Sequence, residues 1–220
     1  MTLKPSRRAL AKQIALLVSG VSILGPVFAQ KLLITPEQVE GPFYPPGPLP
    51  ETDVDLTLLD GHTKSATGDV ILVRGRVTDS NGTPLAGARV DIWQANDGGK
   101  YDHPEDPNPT PLDPHFQGIG ITKTDAQGWY GFKTIIPGAY PLSFLGEGQD
   151  KWRARHIHFK VAHEGTGHLT TQMYFKGDPL LAQDEPINSI PEDQRSLLIT
   201  SGKVDPDTGI PVHRFDIALA

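Results

Sequence analysis

The chain has 220 residues, 20 basic and 26 acidic side chains for a net charge of -6, and 23 Gly, 21 Pro and no Cys. The acidic balance argues against nucleic acid or an anionic membrane surface as partner, and the lack of thiols excludes a disulfide scaffold or a thiolate metal site. With 37% hydrophobic and 21% charged residues the composition is that of one folded domain rather than a disordered chain, and the Gly and Pro load favours short strands with many turns.

In chain order, the first element is a segment to set aside. "MTLKPSRRALAKQIALLVSGVSILGPVFAQ" has a basic start with Arg7-Arg8, an apolar stretch from Ile14 to Leu24, and small residues before Gln30. The apolar stretch is short for a membrane span, so residues 1–29 are expected to be a cleaved export signal, the alternative being an uncleaved anchor. "SRRALAK" resembles a twin-arginine signal, and an ordinary secretory signal is the other route. The mature protein is then periplasmic or extracellular, with no membrane attachment. Losing Lys4, Arg7, Arg8 and Lys12 leaves 16 of the 20 basic residues against all 26 acids, a net charge of -10.

Residues 30–68 read as an extended arm, because "EGPFYPPGPLPE" is too rich in proline for a helix or central strand. A strand is predicted over Val70 to Thr78, a turn at Asp79 to Thr83 built on Asn81-Gly82, and a strand over Arg89 to Gln94. The loop "DGGKYDHPEDPNPTPLDPHF" follows, of a length that is more often functional than idle. "GIGITKTD" and "WYGFKTII" are strands joined by Ala126-Gln127-Gly128, and "RHIHFKVA" and "LTTQMYFKG" continue the pattern. "IPEDQRSLLI" suggests a short helix and "HRFDIAL" a final strand. The expected fold is all-β: an antiparallel β-sandwich over residues 69–220 with long loops and a short C-terminal helix.

His156 and His158 are two apart, so on a strand both imidazoles leave one face, roughly 6.5 Å apart by the strand rise. The pair alone is as consistent with one packed and one solvated histidine as with two metal ligands. Asp102, Glu105 and Asp106 in the acidic loop could complete a two-histidine, one-carboxylate zinc or Fe(II) site, with no fixed spacing to support it. His103 and His115 share that loop, and His163 and His168 lie in a Gly-rich turn. Of five tyrosines, Tyr101 and Tyr140 stand at strand-to-loop borders where side chains can converge.

Taken together, "DIWQANDGGKYDH", "GIGITKTDAQGWYGFKTIIPGAYP", "RARHIHF" and "TQMYFKGD" resemble the intradiol ring-cleavage dioxygenases, in order and over most of the mature chain. The resemblance implies a non-haem Fe(III) cofactor held by Tyr101, Tyr140, His156 and His158. It implies a catechol and O2 as partners, and ring opening between the hydroxyl-bearing carbons to a cis,cis-muconate-type product. It makes Tyr140 the ligand that dissociates to act as a base, and it places Arg153 beside the bound ring with Gln172 behind it. Tyr44 in the arm becomes a candidate wall of the substrate pocket. Ferric ion suits this donor set, being hard enough to take phenolates from groups whose ordinary pKa is about 10.

Two features set the chain apart within that resemblance: Leu142 follows the Tyr140-Pro141 pair, and little room precedes "EGPFYP" for a helical dimerisation segment. An exported, single-domain member is therefore expected, with homo-oligomerisation left open. The competing reading of a different class is a non-catalytic transthyretin-like binding module, since "VRGRVTDSNGTPLAGARVDIW" resembles such sandwiches too. The two tyrosines and two histidines separate the readings, because a binding module has no use for them.

Overall fold

The computed structural model describes residues 33–48, 52–146 and 151–220, so the expected export signal lies outside the described residues. The first sheet is built on β1 (Val70–Thr78), whose alternating burial marks one core-facing side. The strand β4 (Trp129–Ile135) runs antiparallel along one edge of β1. The other edge is shared by β11 (Pro211–Arg214) and β12 (Ile217–Ala218), both parallel to β1, and β10 (Gly202–Val204) pairs β11. The second sheet has the order β3-β2-β7-β8-β9, with β2 at Arg89–Trp93, β3 at Ile119–Lys123, β7 at His156–His163, β8 at Gly167–Phe175 and β9 at Ile199–Thr200. A separate ribbon pairs β5 (Tyr140–Pro141) with β6 (Trp152–Arg153).

The sandwich core lies between the sheets. Ile71, Val73 and Phe132 of the first sheet and Val90, Ile92, Ile157 and Phe159 of the second are buried there, in one apolar cluster. Full burial of each such side chain contributes about 1.5–3 kcal/mol. The strand β7 is buried on both faces. With a period of two, Ile157 and Phe159 face the core while His156 and His158 face away from it. Register places Trp93 of β2 and Gln172 of β8 on either side of His158, and Tyr174 beside His156. Directly opposed residues share a face, so these side chains form one polar and aromatic patch on the outer side of the sheet.

The Pro-rich arm covers that patch. Gln38 N donates to Thr170 O, Gln172 Nε2 donates to the Val39 carbonyl, and Phe43 is buried beside Tyr101. The second sheet is thus enclosed by the core on one side and the arm on the other.

The all-β sandwich expected from the sequence is present, with three differences of detail. The pairings of β1 with β11 and β12, and of β8 with β9, are parallel. "HRFDIAL" is two strands and not one: at the break Phe215 buries its ring against Phe159, donates its N–H to Arg74 O, and accepts the Tyr130 hydroxyl. Gly75 makes room, because a Cβ there would overlap the Phe215 carbonyl. The helix expected from "IPEDQRSLLI" is one turn, α2 (Glu192–Arg195), and a second turn, α1 (Glu185–Asn188), precedes it, capped by the Asp184 carboxylate.

Candidate metal centre

The four predicted donors are brought together from three segments. His156 and His158 come from β7, Tyr140 from β5, and Tyr101 from the loop after β2. His156 Nε2 lies 3.2 Å from His158 Nε2 and 3.4 Å from the Tyr101 hydroxyl. The Tyr140 ring stands edge-on to Tyr101, centroids 5.7 Å apart, and 5.8 Å from His156. None of the four is more than 7% exposed.

Two glycines permit the tyrosines to meet. A Cβ on Gly138 would overlap the backbone of Asp97 and Gly99, and one on Gly99 would lie 2.5 Å from the Ala139 carbonyl. Both glycines also donate their N–H to Asn96 O. The loop carrying Tyr101 and the turn carrying Tyr140 are therefore in backbone contact, which only residues without a side chain allow.

The ring nitrogens are set by their partners. His156 Nδ1 lies 2.6 Å from the Ala154 carbonyl; a carbonyl only accepts, so Nδ1 carries the proton and Nε2 keeps its lone pair. His158 Nδ1 is buried without a hydrogen-bond partner among the described residues. Its ring is held instead by Trp93, stacked at 4.6 Å with planes 9° apart. Burial, aided by the Arg153 charge, keeps both imidazoles well below the ordinary pKa of 6.5, so they stay neutral. Burial pushes the Tyr101 phenol well above its ordinary value of 10, with Tyr140 adding to the effect, and it raises Tyr140 as well.

These residues fit a hard cation. Two facing Nε2 atoms 3.2 Å apart have the separation of two donors each about 2.1 Å from one ion. Phenols that resist ionisation in a dry site need such an ion to become phenolates. The carboxylate alternative does not fit: among the described residues no group of three His, Asp or Glu side chains converges on a metal position. Asp102 and Glu105 are exposed, and Asp106 accepts from the N–H groups of Tyr101 and Asn108.

Arg153 is cross-strand partner to Tyr140 and is buried. Its Nε donates to Asp184 Oδ2 at 2.9 Å, and its Nη2 donates to Gln172 Oε1 at 2.6 Å. Gln172 also accepts the Tyr174 hydroxyl at 3.0 Å, so the pair expected from the sequence is in contact. Asp184, Tyr174 and Trp93 were not anticipated. "DEPIN" carries a helix-cap signal at Asp184, but nothing local announces that the same carboxylate reaches an arginine 31 residues away.

Tyr44 is held on the Asp91 side of Trp93. The arm residues that line the cavity in front of the metal position are Val39, Gly41, Pro42 and Phe43. The Tyr44 hydroxyl donates to Asp91 at 2.9 Å, its ring meets Trp93 edge-on, and Lys160 sits 4.1 Å above it. Asp91 is 2% exposed and takes two bonds from Arg89 besides the Tyr44 hydroxyl, as a buried carboxylate requires.

Residues 39–220 match the family model Dioxygenase_C, described as dioxygenase. The protocatechuate 3,4-dioxygenase beta chain of Burkholderia cepacia is 44% identical over 176 residues, 79% of this chain and 72% of that one. The chain belongs to the intradiol dioxygenase family. Catechol 1,2-dioxygenase 2 of Acinetobacter lwoffii is 35% identical over 68% of this chain, which spans 54% of that relative's length. Among solved structures, the dioxygenase domain of a carbohydrate-binding fusion protein from Streptomyces sp. SirexAA-E is 30% identical with TM-score 0.60, matching 84% of this chain and 97% of its own. Catechol 1,2-dioxygenase from Pseudomonas arvilla C-1 is 31% identical with TM-score 0.64, over 84% of this chain and 62% of its own. Family membership favours an intradiol dioxygenase over a transthyretin-like binding module.

Proposed function

We propose that this protein opens a catechol ring between its two hydroxyl-bearing carbons with O2, at an Fe(III) ion held by Tyr101, Tyr140, His156 and His158. The observation that carries the reading is the convergence of two buried phenols and two neutral imidazoles on one point, beside a fixed guanidinium. When bound, ferric ion supplies the charge that ionises phenol and catechol oxygens and the electronic coupling that lets an electron-rich ring react with O2.

The chain's own residues do the rest. His156 and His158 donate lone pairs without first losing a proton, because burial keeps them neutral. Tyr140, next to Arg153 and at the cavity wall, would serve as the base that takes a catechol proton once a bound ion holds it as the phenolate. Arg153 lines the same cavity and is held by Asp184 and Gln172. It offers a permanent positive charge to negative charge on the bound ring. Phe43 and Leu142 give that cavity apolar walls that limit water around the ring.

The test is oxygen uptake by iron-loaded protein with a catechol, with product analysis under labelled O2. A cis,cis-muconate-type diacid carrying both oxygen atoms is expected. An aldehyde-bearing product opened beside the diol, or no uptake by fully loaded protein, would contradict the reading. We also propose export by the twin-arginine route, supported by Arg7-Arg8. Protein recovered outside the cytoplasm should begin at Gln30, and retention in the cytoplasm at full length would contradict it.

A further inference from the structure

Resting on the ring-cleavage reading above, we propose that the substrate is a catechol carrying a sizeable ring substituent without negative charge, and that Glu185 discriminates against carboxylated catechols.

Size is the first observation. The cavity in front of the metal position is about 430 Å³. A space of roughly 150 Å³ holds a benzene-sized ring, and an ion with a bound water takes on the order of 30–60 Å³. Half of the cavity is therefore left over by an unsubstituted catechol. Val39, Pro186 and Ser189 also line a second, more open groove of about 370 Å³ that takes in Glu37. A substituent directed from the metal position toward Pro186 and Ser189 would meet this second space.

Charge is the second. Among the described residues lining the cavity, Arg153 and Glu185 alone carry charge. The Arg153 guanidinium bonds Asp184 and Gln172 and in the ring-cleavage reading serves the diol end of the ring, so the described lining holds no second cation for a carboxylate on the far side of the ring. Val39, Pro42, Phe43 and Leu142 make most of the wall apolar, so a carboxylate there would be desolvated without a partner. Glu185, the first residue of α1, is among the lining residues and adds repulsion, weakened by the solvent its exposed side chain meets. Lys151, 3.4 Å from Glu185, is not part of the lining, and both groups are more than half exposed, so solvent screens that pair.

The decisive comparison is 3,4-dihydroxybenzoate against its methyl ester, which are similar in size and differ in charge. Oxygen uptake by the iron-loaded protein should give a kcat/KM at least tenfold higher for the methyl ester. The benzyl ester should stay within about threefold of the methyl ester, because the groove receives the larger group. In Glu185→Gln the ester-to-acid ratio should narrow at least twofold, and in Glu185→Lys further. A preference for the free acid would overturn the charge inference while leaving ring cleavage intact, and loss of turnover with the benzyl ester would overturn the size inference. An unchanged ratio in both variants would overturn the role of Glu185. Failure of every catechol, unsubstituted catechol included, would instead count against the ring-cleavage reading itself.

Discussion

Trp93 lies flat on His158, with ring centroids 4.6 Å apart and planes 9° from parallel. The stack does for His158 what the Ala154 carbonyl does for His156: it fixes the ring's orientation, here without a hydrogen bond. The groups behind a metal ligand typically matter 10–100-fold for metal affinity. Trp93→Leu is therefore expected to release iron to a chelator at least tenfold faster, with Trp93→Phe in between. Equal release rates in all three proteins would show that the stack is only packing. Trp93 is fully buried, so a thermal melt should accompany the measurement to separate a loosened ligand from a loosened fold.

Arg153 is held as a fork between Asp184 and Gln172. Lysine cannot reproduce two directed bonds from one planar group, so Arg153→Lys should lower kcat by about 10²-fold or more, the scale of losing one charge-stabilising donor. KM should change less. A KM effect alone would assign Arg153 to ground-state binding.

Removing its partner should act on the fold as well. The Asp184 carboxylate accepts from Arg153 Nε, from Ala154 N and from Ile187 N. Asp184→Ala breaks a buried ion pair and an N-cap together, a loss of about 3–5 kcal/mol. Urea unfolding of the metal-free protein reads it, and a change below about 1 kcal/mol would contradict the assignment.

Histidine burial gives the metal-free protein a defined acid limit. Burial lowers the pKa of His156, His158 and His213 in the folded state. Between those folded values and 6.5 the unfolded chain binds more protons, so stability is fully present above about pH 6.5 and falls as pH drops through the folded values. Each histidine contributes up to about 1.4 kcal/mol per pH unit. His213, on β11 of the first sheet, bonds Thr200 Oγ1 at 3.0 Å and is none of the four donors, and His213→Gln should make the decline shallower between pH 6.5 and 5. An unaltered slope would mean that His213 takes up its proton without cost to the fold.

Much of this site was legible in the sequence because its ligands carry local signatures. H-x-H on a strand fixes two imidazoles on one face, and Pro137-Gly138 before Tyr140 marks a turn that the structure uses for close backbone approach. Contacts made across long stretches of chain were not legible. Asp184 is recognisable as a cap but not as the partner of Arg153, and Gln38, in the arm, meets the Tyr174 hydroxyl 136 residues away. Nor was the bond from the Tyr44 hydroxyl to Asp91, 47 residues away, announced by the sequence around Tyr44, whose neighbours line the cavity. The final strand was read as continuous because its apolar pattern is, but the ladder is interrupted at Phe215 and Asp216, where Phe215 keeps its N–H bond to Arg74 O and buries its ring in the core.

The most direct test of the central claim is the visible spectrum of the iron-loaded protein. Tyrosinate bound to Fe(III) should give a broad visible charge-transfer band, coloured burgundy, that shifts when a catechol is added without oxygen. Tyr101→Phe and Tyr140→Phe should each alter the band, and Tyr140→Phe should also slow the shift on adding catechol. A colourless iron-loaded protein, or a band indifferent to both substitutions, would contradict a ferric centre held by these two tyrosines.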